Sequence, residues 1–165
     1  MKFSQGLLAA LHNLESAISI AAYLIIAALL MTDVVLRELF SSSIAGTQRI
    51  AVFFMIATGF LGMGLAADYG RYLRPQFADG LIPKAYSSFA SRIGSMVMAM
   101  TFFYFSWLGG GFVKSSWEFG ELARSVNFPL WMVQLVVPYA FFSVGIRYLV
   151  YSIWPELKPE QTDVQ

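Results

Sequence analysis

The chain has 165 residues, of which 58% are hydrophobic, 16% aromatic and 13% charged, with a formal net charge of +1, one histidine and no cysteine. Ordinary soluble domains carry roughly 25% charged residues, so there are too few polar side chains here to clothe a soluble domain, and the outer surface must meet lipid. Near-neutral charge removes any bulk electrostatic case for nucleic acid, and the missing cysteines exclude disulfides and thiolate metal sites.

A spanning helix needs about 20 mostly apolar residues. Counted between flanking charges, four stretches meet that test: Ser16 to Thr32, Ile50 to Ala67, Ile93 to Val113 and Ser125 to Ile146. Strand-like alternation is absent, which excludes a closed barrel. The expected fold is therefore an all-α integral membrane protein with four transmembrane helices. Its spans fall at about 14–37, 49–68, 90–114 and 128–150, in a single domain over residues 1–154.

The first span follows Lys2 and resembles a signal peptide only superficially. Its apolar run is longer than a signal core, Glu15 stands at its entrance, and no small-x-small site precedes Arg37-Glu38, so a retained helix is expected. His12 reads as an interfacial polar residue, because a metal site needs several converging ligands. Near the far end Asp33 and Arg37 are spaced i, i+4 and share a face on which they can pair. A short turn with Ser41-Ser42-Ser43 and Gly46 leads to the second span. There Thr58, Gly62 and Ala66 form a small-residue stripe that lets another helix approach closely, within the bundle or on a partner.

Between the second and third spans, Tyr69 to Ser91 mixes Tyr72, Phe77 and Tyr86 with Arg71, Arg74 and Lys84, a composition suited to the headgroup level and expected to lie along the membrane surface. Gly109-Gly110-Gly111 in the third span suggests local unwinding or a hinge. Trp117 and Glu118 follow, and Pro129 and Trp131 mark the entry of the fourth span, Trp131 at the aromatic belt. Pro138 should kink that span. The tail, 155–165, reads as short and disordered.

Lys and Arg counts on alternate sides give the orientation. Lys2, Arg71, Arg74, Lys84, Arg92, Arg147 and Lys158 lie on one side, and Arg37, Arg49, Lys114 and Arg124 on the other, which favours both termini inside. No ionisable residue falls in the middle of a span, so the bundle interior is expected to be electrically silent, where a proton- or ion-coupled carrier would place a charge. Glu118 and Glu121 are three apart, but no nucleophile or metal ligand accompanies them and no enzyme is expected.

The order of features resembles a known family, the small membrane (Q, DctQ-like) subunit of tripartite ATP-independent periplasmic (TRAP) transporters. The resemblance rests on Val35-Leu36-Arg37-Glu38-Leu39-Phe40, the Ser43-Ile44-Ala45-Gly46-Thr47-Gln48 turn, Phe60-Leu61-Gly62-Met63-Gly64-Leu65-Ala66, Ser116-Trp117-Glu118-Phe119-Gly120 and Phe128-Pro129-Leu130-Trp131 with the later Pro138. It departs where many members have a carboxylate at the start of the second helix, here Gln48-Arg49, and a His and an Asp after it, here Arg71-Tyr72-Leu73-Arg74.

The resemblance implies a noncatalytic scaffold in the bacterial inner membrane, without a cofactor, for a sodium-coupled uptake system. A large multi-span (M) subunit would carry the solute and a periplasmic substrate-binding (P) protein would deliver it, the solute being an organic acid such as sialic acid, a C4-dicarboxylate or a sulfonate. Thr58, Gly62 and Ala66 would then face the large subunit or the bundle, and Asp33, Arg37, Trp117 and Glu118 would lie where the binding protein docks. Membrane lipids complete the expected partners. A self-sufficient small carrier or channel is the alternative.

Overall fold

The computed structural model describes residues 2–42, 45–69, 87–123 and 127–157. Four helical spans are long and apolar enough to cross a membrane, Ser4–Phe40, Thr47–Asp68, Ser91–Glu118 and Leu130–Ile153. Helix α1 runs over Lys2–Phe40, α2 over Thr47–Asp68 and α3 over Ser87–Glu118. The last span is divided into α4, Leu130–Gln134, and α5, Val136–Ile153.

The two ends of the bundle are built differently. At the turn end, α1 stops where Ser41 enters the left-handed region (φ 49), with Arg37 in the last turn complementing the helix dipole. Gly46, at φ 92, then starts α2, a conformation glycine adopts without a Cβ penalty. So short a turn makes α1 and α2 antiparallel neighbours. The other turn at this end carries a two-residue antiparallel ladder, β1 (Leu122–Ala123) with β2 (Phe128–Pro129), pairing Leu122 with Pro129 and Ala123 with Phe128. At the opposite, terminal end lie Lys2, Asp68, Ser87 and Ile153.

Packing runs in the order α1, α2, α5, α3, with α4 lying against α3. The outer helices α1 and α3 therefore bury only narrow stripes. In α1 these are Ser4, Glu15, Ser19, Ala22, Ile26 and Asp33, recurring at three- and four-residue steps or sums of such steps, while Tyr23, Leu24 and Met31 on the other faces are exposed. The core is aromatic. Ala99 and Phe102 of α3 meet Val144, Tyr148 and Tyr151 of α5, and the rings of Phe102 and Tyr148 stack at 5.7 Å with planes 8° apart.

Three expectations change. The glycine triplet is not unwound, since α3 is helical throughout Ser87–Glu118. Gly109 instead gives room to Pro138, whose atoms would lie 3.4 Å from a Cβ there, and Ser106 Oγ donates to the Pro138 carbonyl at 2.9 Å. The tail begins in order: Pro155–Leu157 form a 3-10 turn and Leu157 packs on the aromatic core, while 158–165 lie outside the described residues. Of the expected surface segment, Tyr69 closes α2 and Ser87 onward belongs to α3; 70–86 lie outside the described residues. The helix break at Leu135 is where Pro138 acts, because a proline leaves the carbonyl four residues earlier, that of Gln134, without its helical donor.

Candidate functional site

The terminal end encloses a charge cluster, and here the expectation of an electrically silent interior is overturned. Glu15 and Arg147 are both 0% exposed. Neither is a helix-end charge. Arg147 lies more than a turn inside α5 and Glu15 more than three turns inside α1, so helix packing draws both into the bundle.

Each polar side-chain atom of Glu15, Asp68, Ser143 and Arg147 has a partner. Arg147 Nη2 donates to Glu15 Oε2 at 2.9 Å and to Asp68 Oδ2 at 3.0 Å, and Nε donates to Asp68 Oδ1 at 2.7 Å. Arg147 Nη1 donates to Ser143 Oγ at 2.5 Å and to Glu15 Oε1 at 3.3 Å, and the Ser143 hydroxyl in turn donates to Glu15 Oε1. Tyr151 OH donates to Asp68 Oδ1 at 3.3 Å. His12, expected as an interfacial polar residue, also reaches the edge of the cluster. Its Nδ1 stands 3.1 Å from Asp68 Oδ2, and since a carboxylate only accepts, that nitrogen carries the hydrogen. One guanidinium thus ties α1, α2 and α5 together. Gly64 makes the approach possible, because a Cβ there would overlap the Glu15 carboxylate and stand 3.0 Å from Arg147 Nη1.

The small-residue stripe is divided by the fold. The face that α2 buries runs through Ala51, Thr58, Leu61, Gly64 and Ala67, so Thr58 packs within the chain, its hydroxyl donating to the Met55 carbonyl at 2.9 Å. Gly62 and Ala66 are half-buried at the edge of that face. A Cβ at Gly62 would meet nothing within 4 Å.

At the turn end, Arg37 Nη2 donates to Asp33 Oδ2 at 2.6 Å, as the i, i+4 spacing leads one to expect. The Asp33 side chain is buried, the Arg37 side chain is about half exposed, and Asp33 Oδ1 has no hydrogen-bond partner among the described residues. Trp117 is 64% exposed. Glu118 is exposed and 3.6 Å from Lys114 Nζ, whereas Glu121 accepts from Ser116 Oγ at 2.5 Å. The two glutamates thus serve separate local contacts. Trp131 is half-buried at the start of α4. The Asp33–Arg37 pair belongs to α1 and Trp117 with Glu118 to α3, the two outer helices; among the described residues no hydrogen bond or ion pair joins them.

Two adjoining clefts open beside α2 at this end. One, of about 570 Å³, is lined by Arg49, Gln48 and Leu130 among others. The other, of about 400 Å³, lies between α2 and α4 and is lined by apolar side chains alone, Phe54, Ala57 and Met132 among them. Phe53 borders both.

No local pattern points to the Glu15–Asp68–Arg147 cluster, because its members are up to 132 residues apart. Its only trace is that three charges of mixed sign border three apolar spans on one side. Compared with known proteins, residues 26–158 match the family described as the DctQ component of tripartite ATP-independent periplasmic transporters. The chain is also similar to the ectoine TRAP transporter small permease protein TeaB of Halomonas elongata, 23% identical over 143 residues, which cover 87% of this chain and 74% of that protein.

Proposed function

We propose, starting from the fact that this chain belongs to the DctQ component family of tripartite ATP-independent periplasmic transporters, that it works as a static scaffold in the sodium-coupled uptake of an organic acid. It sits in the inner membrane with both termini in the cytoplasm, so the turn end faces the periplasm. A large membrane subunit carries the solute, and a periplasmic binding protein delivers it.

The observation that carries this reading is the closure of the charge cluster. Ionisable groups inside a membrane bundle commonly mark an ion or proton path. Here the Arg147 donors are taken up by Glu15, Asp68 and Ser143 of the same chain. Such an arrangement holds helices in register rather than passing an ion along. The wide apolar faces of α1 and α3, and the open space at Gly62, suit lipid and a larger membrane partner. The Asp33–Arg37 pair and Trp117 with Glu118 suit a soluble protein arriving at the turn end, where rim charges mainly steer encounter.

A self-sufficient small carrier is the second reading, and it draws on the same buried carboxylates. Reconstitution separates the two. The chain alone in liposomes should leave a solute gradient untouched, and adding the large subunit and the binding protein should start sodium-dependent uptake. Flux through the chain alone would establish the carrier instead.

A further inference from the structure

We propose that the paired clefts beside α2 form a binding site for one anionic glycerophospholipid, its phosphate on Arg49 and one acyl chain in the apolar cleft between α2 and α4. The mouth and the depth of the site differ in chemistry. At the mouth Arg49 is exposed in the first turn of α2, and among the described residues it has no ion-pair or hydrogen-bond partner. Unlike Arg37, held by Asp33, it is available to a ligand. A guanidinium gives planar paired donors to phosphate, and the start of a helix adds favourable potential for an anion.

Behind Phe53 the lining becomes wholly apolar, passing Phe54, Ala57 and Met132. From Arg49 to Ala57 α2 rises about 12 Å at 1.5 Å per residue, most of the way down one leaflet of a hydrocarbon core about 30 Å thick. The volume of about 400 Å³ falls within the usual 300–1,000 Å³ of small-molecule sites. A free cation at headgroup depth above an apolar slot that follows the bilayer normal fits an anionic amphiphile. An extended peptide segment would leave its backbone polar groups unpaired in that slot.

The test uses the full-length chain, stripped of lipid in a mild detergent and titrated with dioleoylphosphatidylglycerol by native mass spectrometry. Arg49→Gln should weaken binding about tenfold, the scale of one lost charge-assisted hydrogen bond, and Ala57→Phe, which fills the slot, should weaken it comparably. Arg92→Gln, at the terminal end, should bind as the parent does. Dioleoylglycerol, with the chains but no phosphate, should bind at least tenfold more weakly. Undiminished binding by Arg49→Gln, equal loss in Arg92→Gln, or displacement of the lipid by an equal concentration of inorganic phosphate would each overturn the proposal. In intact membranes a photoreactive residue at Met132 should crosslink to lipid; a polypeptide adduct there would contradict it and assign the slot to a protein partner.

Discussion

The two ends of this bundle handle charge in opposite ways. At the terminal end Glu15, Asp68 and Arg147 turn inward and bond to one another and to Ser143, Tyr151 and His12 of the same chain. At the turn end Arg37, Arg49, Lys114 and Glu118 face outward, beside clefts and exposed aromatic rings. A buried ion network is worth little against apolar packing of the same shape, yet removing one partner strands the others without water. The terminal end is therefore a fixed joint, and the turn end keeps its charges at the surface.

Breaking the joint should have the largest effect. Arg147→Ala leaves the buried Glu15 and the partly buried Asp68 without their cation, and a loss of about 3 kcal/mol is expected, enough to deplete folded protein from detergent extracts. Thermal unfolding of the purified chain measures it. Gly64→Leu should come next, because its side chain must displace the Glu15 carboxylate; overpacking of this kind costs about 1–3 kcal/mol. A variant as stable as the parent would show that the cluster tolerates expansion and is no fixed joint.

Gly62→Leu sharpens the comparison, since it lies two residues from Gly64 but opens on empty space. The stability of the isolated chain should change by less than about 0.5 kcal/mol, while co-purification with the large subunit falls. Unchanged recovery of the pair would remove Gly62 from the interface. Arg37→Glu takes the half-exposed guanidinium from the buried Asp33 carboxylate and should cost the isolated chain about 1 kcal/mol. Its signature should be slower uptake that depends on salt, because rim charges act on encounter. Normal uptake at low ionic strength would argue against docking at this edge.

How much of this was legible in the sequence follows from the range of each interaction. The four spans, the Asp33–Arg37 pair and the effect of Pro138 are local, set by apolar run length, i, i+4 spacing and a missing amide hydrogen. The role of Gly64 and the Glu15–Arg147 bond are not local, since each depends on which faces of distant helices meet. Composition around Thr58, Gly62 and Ala66 showed a capacity for close approach. It did not show that the closest approach falls at Gly64, because several small residues crowd one helix and only a neighbour chooses among them. A span bounded by its flanking charges leaves every charge outside, so apolar run length carries no information about charges at the span ends. Helices longer than the bilayer is thick then carry such charges into shared contact.

One measurement bears most directly on the claim that the buried charges hold the subunit together and take no part in moving an ion. The variant Glu15→Gln/Asp68→Asn/Arg147→Gln removes all three charges while keeping side chains that can hydrogen-bond, and it is to be assembled with the large subunit and the binding protein in liposomes. Sodium-dependent uptake per assembled complex should stay within about twofold of the parent, as expected when a buried ion network is replaced as a whole. An assembled, folded complex that no longer takes up solute would contradict the account.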